Sequence, residues 1–284
     1  MQKNLTILAI DTAYHALTKK AVEKAIEVTG SENVVILSDQ NILPGSTFVK
    51  IDPIDAVGYN RMVLKDLAPY INTDHFMIVQ YDGMPYHTEF WNDDFLKYDY
   101  IGAPWPWGPE NRRVGNGGFS IRSRKLIEVC QDPAVVFNPP EFGGGNVTED
   151  THICHMYRDF LESKGINFAP LSLANEFSAE TPGGLFSTYG FHGTLCLPFY
   201  LSDEHMEFYI DNLDEKMLTN PIHIRIFFGL FRAQRYDLLQ HYMYHAVKIN
   251  PNFPDVLLTQ FPQETQFYPE INVEDLEQLL AHEQ

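Results

Sequence analysis

Short apolar runs alternate with longer amphipathic stretches along the N-terminal part of the chain. Four runs have the length of buried strands: residues 5–10, 34–37, 48–51 and 75–79. Helical patterns lie between them, one from about residue 13 to residue 28, where Gly30 ends it, and one from about residue 57 to residue 67. Strands that alternate with helices predict a Rossmann-like α/β fold, with a mixed, mostly parallel sheet and flanking helices.

Polar residues come directly after three of these runs. Asp11 and Thr12 follow the first run, Asp39 follows the second, and Gln80 and Asp82 follow the last. Ligands of open α/β sheets bind beyond the carboxyl ends of the strands. We therefore expect these five residues to line one crevice and to contact a bound ligand there.

The pattern changes in the middle of the chain. Residues 95–125 mix apolar patches with glycine, proline and tryptophan. An apolar stripe at helical spacing then predicts one amphipathic helix from about Thr148 to Gly165. Two further runs, at 166–169 and 191–192, are expected to be short returning strands.

From about residue 203 the pattern is helical and rich in aromatic residues. The stretch 231–255 resembles the second half of a tetratricopeptide unit, and a single unit cannot bury its own apolar face. We therefore expect a domain of residues 1–201 and a small helical C-terminal extension, residues 202–284, that packs on the core.

Composition narrows the possible partners. A net charge of −18 argues against nucleic acid or an anionic membrane as the main partner. Any phosphate must then be met locally by a metal ion, a helix N-terminus or a few placed cations. No apolar stretch approaches the roughly 18 residues that span a bilayer, and three widely spaced cysteines form neither a disulfide framework nor a zinc pattern. These features predict a cytoplasmic protein without a transmembrane segment.

Five segments, in a fixed order, carry a resemblance: QYDG at 80–83, YDYIGAPW at 98–105, GNGGFSIRS at 115–123, TED at 148–150 and FSAE…YGFHG at 177–193. Together they resemble a bacterial family of unknown-function domains that is placed among GT-A-type glycosyltransferases. The resemblance covers roughly residues 5–195. It implies a GT-A-like fold and the transfer of a sugar from a nucleoside-diphosphate sugar.

The resemblance also implies roles for single residues. The four working parts of such enzymes fall on these positions: Asp82 in the metal-binding Asp-x-Asp motif, Gly117 and Gly118 in the acceptor loop, Glu149 and Asp150 as the acidic pair, and His192 as the late metal-binding histidine. Gln80 stands where most relatives carry the first aspartate. The motif of this chain therefore holds one carboxylate where the usual motif holds two.

These positions suit the chemistry of glycosyl transfer. Mn²⁺ or Mg²⁺, bound by Asp82 and His192, would stabilise the leaving diphosphate. Asp150 is our candidate for the general base, with Glu149 orienting the base or the acceptor, and the two roles are interchangeable at this point. The Gly143–Gly145 loop before them would let the site open and close around substrate.

Three further features are candidates on their own chemistry. Arg122, in alternation with Arg124, would face the diphosphate, and the Gly117–Gly118 backbone can approach a ligand closely. Trp107, which we expect to be exposed, offers a flat face to an acceptor sugar. Each has a structural alternative: a solvated strand edge, a β-bulge and core packing, respectively. Asp82 would equally form a turn with the glycine after it, and the helix dipole favours acidic residues at a helix start whatever their chemistry.

The sequence therefore favours a glycosyltransferase that moves a sugar from a nucleoside-diphosphate sugar to a hydroxyl acceptor, with inversion and metal assistance. The alternative is a catalytically inactive carbohydrate- or nucleotide-sugar-binding protein with the same fold, which Gln80 favours. A nucleotidyltransferase would normally carry a basic, glycine-rich loop after the first strand, and this chain has IDTAYHA there.

Overall fold

The computed structural model describes residues 4–139, 146–180 and 187–264. The chain divides into two compact units, Met1–Gly193 and Thr194–Gln284. The strands that the structure describes all belong to the first unit: β1 (Leu5–Ile10), β2 (Val34–Ser38), β3 (Thr47–Lys50), β4 (His75–Ile78), β5 (Gly83–Pro85), β6 (Tyr100–Gly102), β7 (Ser120–Ser123), β8 (Ser178–Ala179) and β9 (Gly190–His192).

Six strands form the central sheet of the first unit, in the order β3-β2-β1-β4-β7-β6. The pairs β1–β2, β2–β3 and β1–β4 are parallel, with Leu8 in register with both Val35 and Ile78. Strand β7 runs antiparallel to both of its neighbours. The predicted mixed, mostly parallel sheet is confirmed.

Burial explains why the first strands are continuous apolar runs. Every residue of β1 and β2 is buried, as expected for parallel strands that are covered on both faces. Strand β3 lies at the edge of the sheet and has no fully buried residue. Its Thr47 and Lys50 are exposed, and polar residues on an edge strand discourage pairing with other chains.

The helices of the first unit are short apart from the first: α1 (His15–Thr29), α2 (Ala56–Arg61), α3 (Arg124–Val129), α4 (Glu149–Thr151), α5 (Arg158–Ser163) and α6 (Leu171–Phe177). Helix α1 ends at Gly30, which adopts a left-handed conformation with φ of 63° and donates its N–H to the Ile26 carbonyl. A π-helical turn, Met62–Asp66, continues α2.

The predicted continuous helix between Thr148 and Gly165 is wrong. A π-helical turn, His152–Met156, separates α4 from α5. His152 is fully buried, with its Nδ1 at 2.9 Å from the Thr148 carbonyl and its Nε2 accepting the Asn138 N–H. These contacts hold the histidine in the interior of the first unit.

Strand β7 ends one residue before the pattern suggested. Ser123 caps α3 by accepting the Leu126 N–H, so that Arg124 is the first residue of a helix. The expectation that Arg122 and Arg124 share one face of a strand is therefore wrong. Arg122 is fully buried, and Arg124 is paired with Glu128 at the surface.

A second sheet in the first unit has the order β5-β9-β8. Strands β5 and β9 are antiparallel and place Gly83 opposite His192. Strands β8 and β9 are parallel. This small sheet brings a segment near residue 190 back to the residues that follow β4.

The described part of the second unit is helical: α7 (Leu197–Tyr200), α8 (Asp203–Asp211), α9 (Glu215–Leu218), α10 (Pro221–Arg232), α11 (Tyr236–Ile249) and α12 (Phe253–Glu264). Aromatic rings join the last three helices, since Tyr242 lies 6.2 Å from Phe227 and 5.8 Å from Phe253 between ring centroids. The packing of this unit on the core stays a prediction. In the ranges that the structure describes, no helix combines the length and apolarity needed to cross a bilayer.

Candidate active site at the carboxyl edge of the sheet

Strands β1, β2 and β4 are parallel, so the residues that follow them leave the sheet at one edge. The chain builds β2 and β3 on one side of β1 and then crosses to place β4 on the other side. Such a reversal of strand order opens a crevice between the two neighbouring strand ends, and ligands of doubly wound sheets bind there. In this protein the crevice lies between the ends of β1 and β4.

The polar residues after β1 and β2 have protein partners. Asp11 accepts hydrogen bonds from the Tyr14 N–H at 2.9 Å and 3.1 Å, which supports the start of α1. The Thr12 hydroxyl exchanges hydrogen bonds with the backbone of Ile54. Asp39 accepts a 2.7 Å hydrogen bond from Nε2 of His15. Each residue lies at the predicted edge, and its ligand role stays a prediction.

Two tyrosine rings in tilted contact connect the segments that follow β1 and β4. The rings of Tyr14 and Tyr81 lie 4.5 Å apart between centroids. Burial raises the pKa of Tyr81, and the nearby carboxylates of Asp82 and Asp11 raise it further. Both carboxylates therefore act electrostatically on the same phenol, and the shared crevice stays a prediction.

Asp82 occupies a tight turn between β4 and β5. Gln80 and Gly83 exchange backbone hydrogen bonds of 2.8 Å and 3.1 Å across this turn. The Asp82 side chain is only 7% exposed, and its carboxylate has no hydrogen bond or ion pair with any residue in the described ranges. A buried carboxylate without a protein partner is unfavourable unless a ligand or a cation compensates it. Asp82 can therefore form this turn and still bind a ligand or a cation through its carboxylate.

The side chain of Gln80, beside this turn, is fixed by a hydrogen bond to a neighbouring helix. Its Nε2 donates a 2.8 Å hydrogen bond to the hydroxyl of Tyr59. Its Oε1 lies on the side of Gly118, where an added Cβ would come within 2.6 Å of it. The glutamine therefore presents a carbonyl oxygen where the usual motif has a carboxylate.

The late histidine belongs to a chain of hydrogen bonds that sequence reasoning missed. Nδ1 of His192 lies 3.1 Å from one Glu180 carboxylate oxygen, and the other oxygen accepts from the Asn116 amide at 3.2 Å. The Asn116 Oδ1 in turn accepts the Gly118 N–H at 2.8 Å. Glu180 is the acid of the FSAE segment, and its place directly after β8 was the signal that could have found it.

The glycine loop lies between two groups of side chains. The Gly117 N–H donates a 2.9 Å hydrogen bond to Asp150. A side chain at Gly117 would overlap Glu149, and one at Gly118 would overlap His192. Glycine is therefore required at both positions, because neighbouring protein side chains leave no room for a Cβ. The loop lies between the acidic start of α4 and His192.

The two members of the acidic pair have different surroundings. Glu149 is 3% exposed and forms a bidentate ion pair with Arg122, with N–O distances of 2.7 Å and 2.8 Å. Burial raises the pKa of Glu149, and Arg122 opposes that shift. Arg122 also donates to Ser120 and to the Gly117 carbonyl. This guanidinium is fully buried and stabilises the glycine loop. Its role in diphosphate binding stays a prediction.

Asp150 has no cationic partner in the described ranges. Its Oδ1 accepts the Thr151 N–H at 2.7 Å and its Oδ2 accepts the Gly117 N–H. A Cβ on Gly117 would lie 3.0 Å from the Asp150 Cβ, and one on Gly118 would overlap His192, so that the two side chains flank the same loop. The Gly143–Gly145 loop, which the sequence suggested as a hinge for this helix start, lies outside the described residues.

Trp107 is the exposed tryptophan of its segment, as predicted, with 52% of its surface accessible. It stacks on the buried Trp105 at 4.8 Å and on His155 at 5.1 Å between ring centroids. Its role in acceptor binding stays a prediction.

Residues 46–190, just over half of the chain, match the family model described as "Protein of unknown function (DUF5672)". The chain belongs to this family. The expected membership of an unknown-function family is thereby confirmed, and the placement of that family among glycosyltransferases stays a prediction. No curated protein matches the sequence.

Two solved structures are similar in fold. One is a glycosyltransferase involved in the glycosylation of the major capsid of PBCV-1, with 14% identity and a TM-score of 0.43, covering 66% of this chain and 93% of that one. The other is the mannosyltransferase PcManGT from Pyrobaculum calidifontis in complex with GDP-Man and Mn²⁺, with 8% identity and a TM-score of 0.41, covering 98% and 79%. Similarities at this level say nothing about the chemistry of this chain.

Few metal-binding donor atoms lie at the edge of the sheet. Across the described ranges, no group of three or more His, Cys, Asp and Glu side chains is arranged to hold a metal ion. The available oxygen donors are the unpaired Asp82 carboxylate and the Gln80 carbonyl. Mg²⁺ and Mn²⁺ bound with a nucleotide often take only one or two protein carboxylates and complete their shell with phosphate and water. The residues therefore fit a cation that arrives with its substrate.

His192 is a cation in this arrangement. Burial is the largest single influence and acts to lower its pKa, but the ion pair with Glu180 and the carboxylates of Asp82 and Asp150 together outweigh burial, so that the pKa rises to about 9. A positive charge is therefore present beside Asp82 at neutral pH.

The raised pKa of His192 predicts that the protein becomes less stable at alkaline pH. Protonated His192 contributes stability that is complete below its ordinary pKa of 6.5 and is lost as pH rises through about 9. The free energy of unfolding should fall by up to about 3 kcal/mol across this window. Urea denaturation at pH 6.5, 8 and 9.5 would measure the fall. The His192→Gln variant should flatten it, and His87→Gln should not. Equal slopes in the two variants would contradict the assignment.

Proposed function

We propose that this protein is a glycosyltransferase that moves a sugar from a nucleoside-diphosphate sugar to a hydroxyl acceptor. One observation carries the proposal. The unpaired carboxylate of Asp82, the Gly117–Gly118 loop, Asp150 and the cationic His192 come from distant segments and converge at one edge of the sheet. The crevice at this edge is where a doubly wound sheet binds nucleotides.

The donor diphosphate would lie between the end of β4 and His192. Departure of a nucleoside diphosphate requires positive charge at the leaving oxygens. A divalent cation held by Asp82, with the Gln80 carbonyl as a further oxygen donor, would supply Lewis-acid stabilisation when bound. The His192 imidazolium, fixed by Glu180 at 3.1 Å, supplies a second positive charge from the chain itself.

Asp150 is the proposed general base. Backbone N–H groups hold both of its oxygens, which fixes the carboxylate in one orientation beside the loop. It would take the proton of the acceptor hydroxyl as that oxygen attacks the sugar carbon, and a single direct attack inverts the configuration. Glu149, enclosed with Arg122, would keep the helix start and the glycine loop in place and would not take the proton.

The donor part of the proposal predicts a metal-dependent affinity that requires Asp82. Binding of UDP- and GDP-linked sugars should strengthen when Mn²⁺ replaces EDTA, and Asp82→Ala should remove that difference because the metal loses its carboxylate. A ligand at about one hundred times its dissociation constant raises the free energy of unfolding by about 2.7 kcal/mol, which a thermal-shift screen detects. Calorimetry would then give the affinities.

The matched control is Asp52→Ala, since Asp52 is an exposed aspartate of the same unit. It should keep the metal effect in full. Equal donor affinity in EDTA and in Mn²⁺ would contradict the metal and leave the diphosphate to His192. No binding of any nucleotide sugar under either condition would contradict the function.

One observation favours a second candidate, a carbohydrate- or nucleotide-sugar-binding protein without turnover. Gln80 is held by Tyr59 in place of a metal-binding acid, and one carboxylate binds a cation more weakly than two. Donor binding without any release of nucleoside diphosphate, across a broad set of acceptors, would select this candidate.

A further inference from the structure

A cavity of about 530 Å³ lies beside the candidate site in the first unit. Its lining includes apolar, polar and charged residues: Pro104, Trp105, Pro106, Arg113, Asn175, Glu176, Glu180 and Ser187. Its volume falls within the roughly 300–1,000 Å³ of small-molecule sites. None of the roles derived above for the donor or the base accounts for this cavity.

Glu180 connects the cavity to the reacting groups. Glu180 lines the cavity, and its carboxylate binds His192 and Asn116, which in turn holds the glycine loop. A molecule in the cavity would therefore lie one side chain away from His192. A hydroxyl acceptor must lie this near to a donor sugar for transfer to occur.

The walls of the cavity have two characters. Pro104 and Pro106, with the buried Trp105 between them, give the cavity an apolar side. Asn175, Glu176 and Ser187 contribute amide, carboxylate and hydroxyl groups. A pyranose ring has an apolar face and a rim of hydroxyl groups, so that aromatic and proline surfaces meet the face and carboxylates accept from the rim.

The charges around the cavity balance. Glu180 is already paired with His192. Glu176 and Arg113 are then one negative and one positive charge across the remaining lining. Within the described ranges Arg113 has no carboxylate partner, and its Nε donates to the Gly108 carbonyl. The carboxylates would repel an anionic ligand, and Arg113 would repel a cationic one. The lining therefore favours a neutral ligand.

We propose that this cavity is the acceptor site and that it takes a neutral saccharide of one or two rings, with Pro104 and Pro106 against a ring face and Glu176 on its hydroxyls. The name acceptor site rests on the proposed glycosyltransferase function. The binding of a neutral saccharide there is a separate claim and can be tested without a donor.

Tryptophan fluorescence provides the test, because Trp105 lines the cavity. The probes are maltose, cellobiose and lactose as neutral saccharides, with glucose 6-phosphate and glucuronic acid as anionic ones. We expect at least one neutral probe to shift the emission in a saturable manner and the anionic probes to bind at least tenfold more weakly. Saturation-transfer NMR on the same mixtures reports binding independently of the tryptophan.

Glu176→Gln should raise the dissociation constant of that probe by about tenfold or more, since hydrogen bonds to a charged acceptor are the stronger ones. Glu32→Gln, an exposed glutamate of the same unit, is the matched control and should leave it unchanged. Asp82→Ala should also leave it unchanged, because Asp82 belongs to the donor side. Thermal unfolding of each variant shows that it is folded.

Three outcomes would overturn the assignment: no neutral probe binds, the anionic probes bind more tightly and lose affinity in Arg113→Ala, or Glu176→Gln binds as the control does. The two proposals fail separately. Nucleotide-sugar binding without saccharide binding removes the acceptor assignment and leaves the transferase. Saccharide binding without any nucleotide-sugar binding keeps the cavity as a saccharide site and removes the transferase.

Discussion

Asp150→Asn is expected to lower the turnover number by about a hundred- to ten-thousand-fold, because the substitution removes the proposed general base. Donor affinity should change little, since the diphosphate and the cation are assigned to Asp82 and His192. The substitution also has a structural cost. Both carboxylate oxygens accept backbone N–H groups, from Gly117 and Thr151, and an asparagine can accept only one of these two hydrogen bonds. The free energy of unfolding should fall by about 1–3 kcal/mol.

Paired measurements separate these effects. Calorimetry with the donor, turnover with the acceptor and chemical denaturation would be run on Asp150→Asn and on Asp55→Asn. The control makes the same aspartate-to-asparagine substitution at the start of α2, where the Asp55 side chain accepts the Gly58 N–H at 2.8 Å. This control should keep full turnover. Loss of donor binding in Asp150→Asn would move the residue into the donor site, and unchanged turnover would return the base role to Glu149.

Arg122→Met is expected to destabilise the protein by about 3–5 kcal/mol, because it leaves the Glu149 carboxylate buried without its partner. The double variant Arg122→Met/Glu149→Leu should be less destabilised than the sum of the two single variants, since no unpaired charge stays in the core. Urea denaturation of the four proteins gives the coupling free energy of the pair.

A matched control lies two residues along the chain. Arg124 pairs with Glu128 at 2.8 Å on the surface of α3, where both side chains are largely exposed. Arg124→Met should cost about 0.5 kcal/mol or less, as exposed ion pairs do. If Arg122→Met cost no more than Arg124→Met, the pair would not brace the glycine loop.

The periodicity of the sequence predicted the parallel half of the sheet and the residues at its edge. Strands β1, β2 and β4 are buried on both faces, and each must therefore be a continuous apolar run. Asp11, Asp39 and Asp82 follow such runs, and parallel pairing brings their strand ends to one edge whatever the rest of the chain does. The exposure of Trp107, between Pro106 and Gly108, was also predictable from its local sequence.

Tertiary structure decided the partners of these residues. Arg122 and Glu149 are 27 residues apart, and Gln80 and Tyr59 are 21 apart. No local pattern encodes such pairs, because their members lie on different elements. Arg122 and Glu149, for example, meet only after β7 inserts antiparallel beside β4. The buried His152 similarly divided a helix whose apolar stripe looked continuous. Sequence by itself determined which residues must be buried and where strands end, because burial and backbone preference act over a few residues. Which polar groups share the interior was decided by long-range contacts, because each buried charge or N–H must find its partner wherever the fold places one.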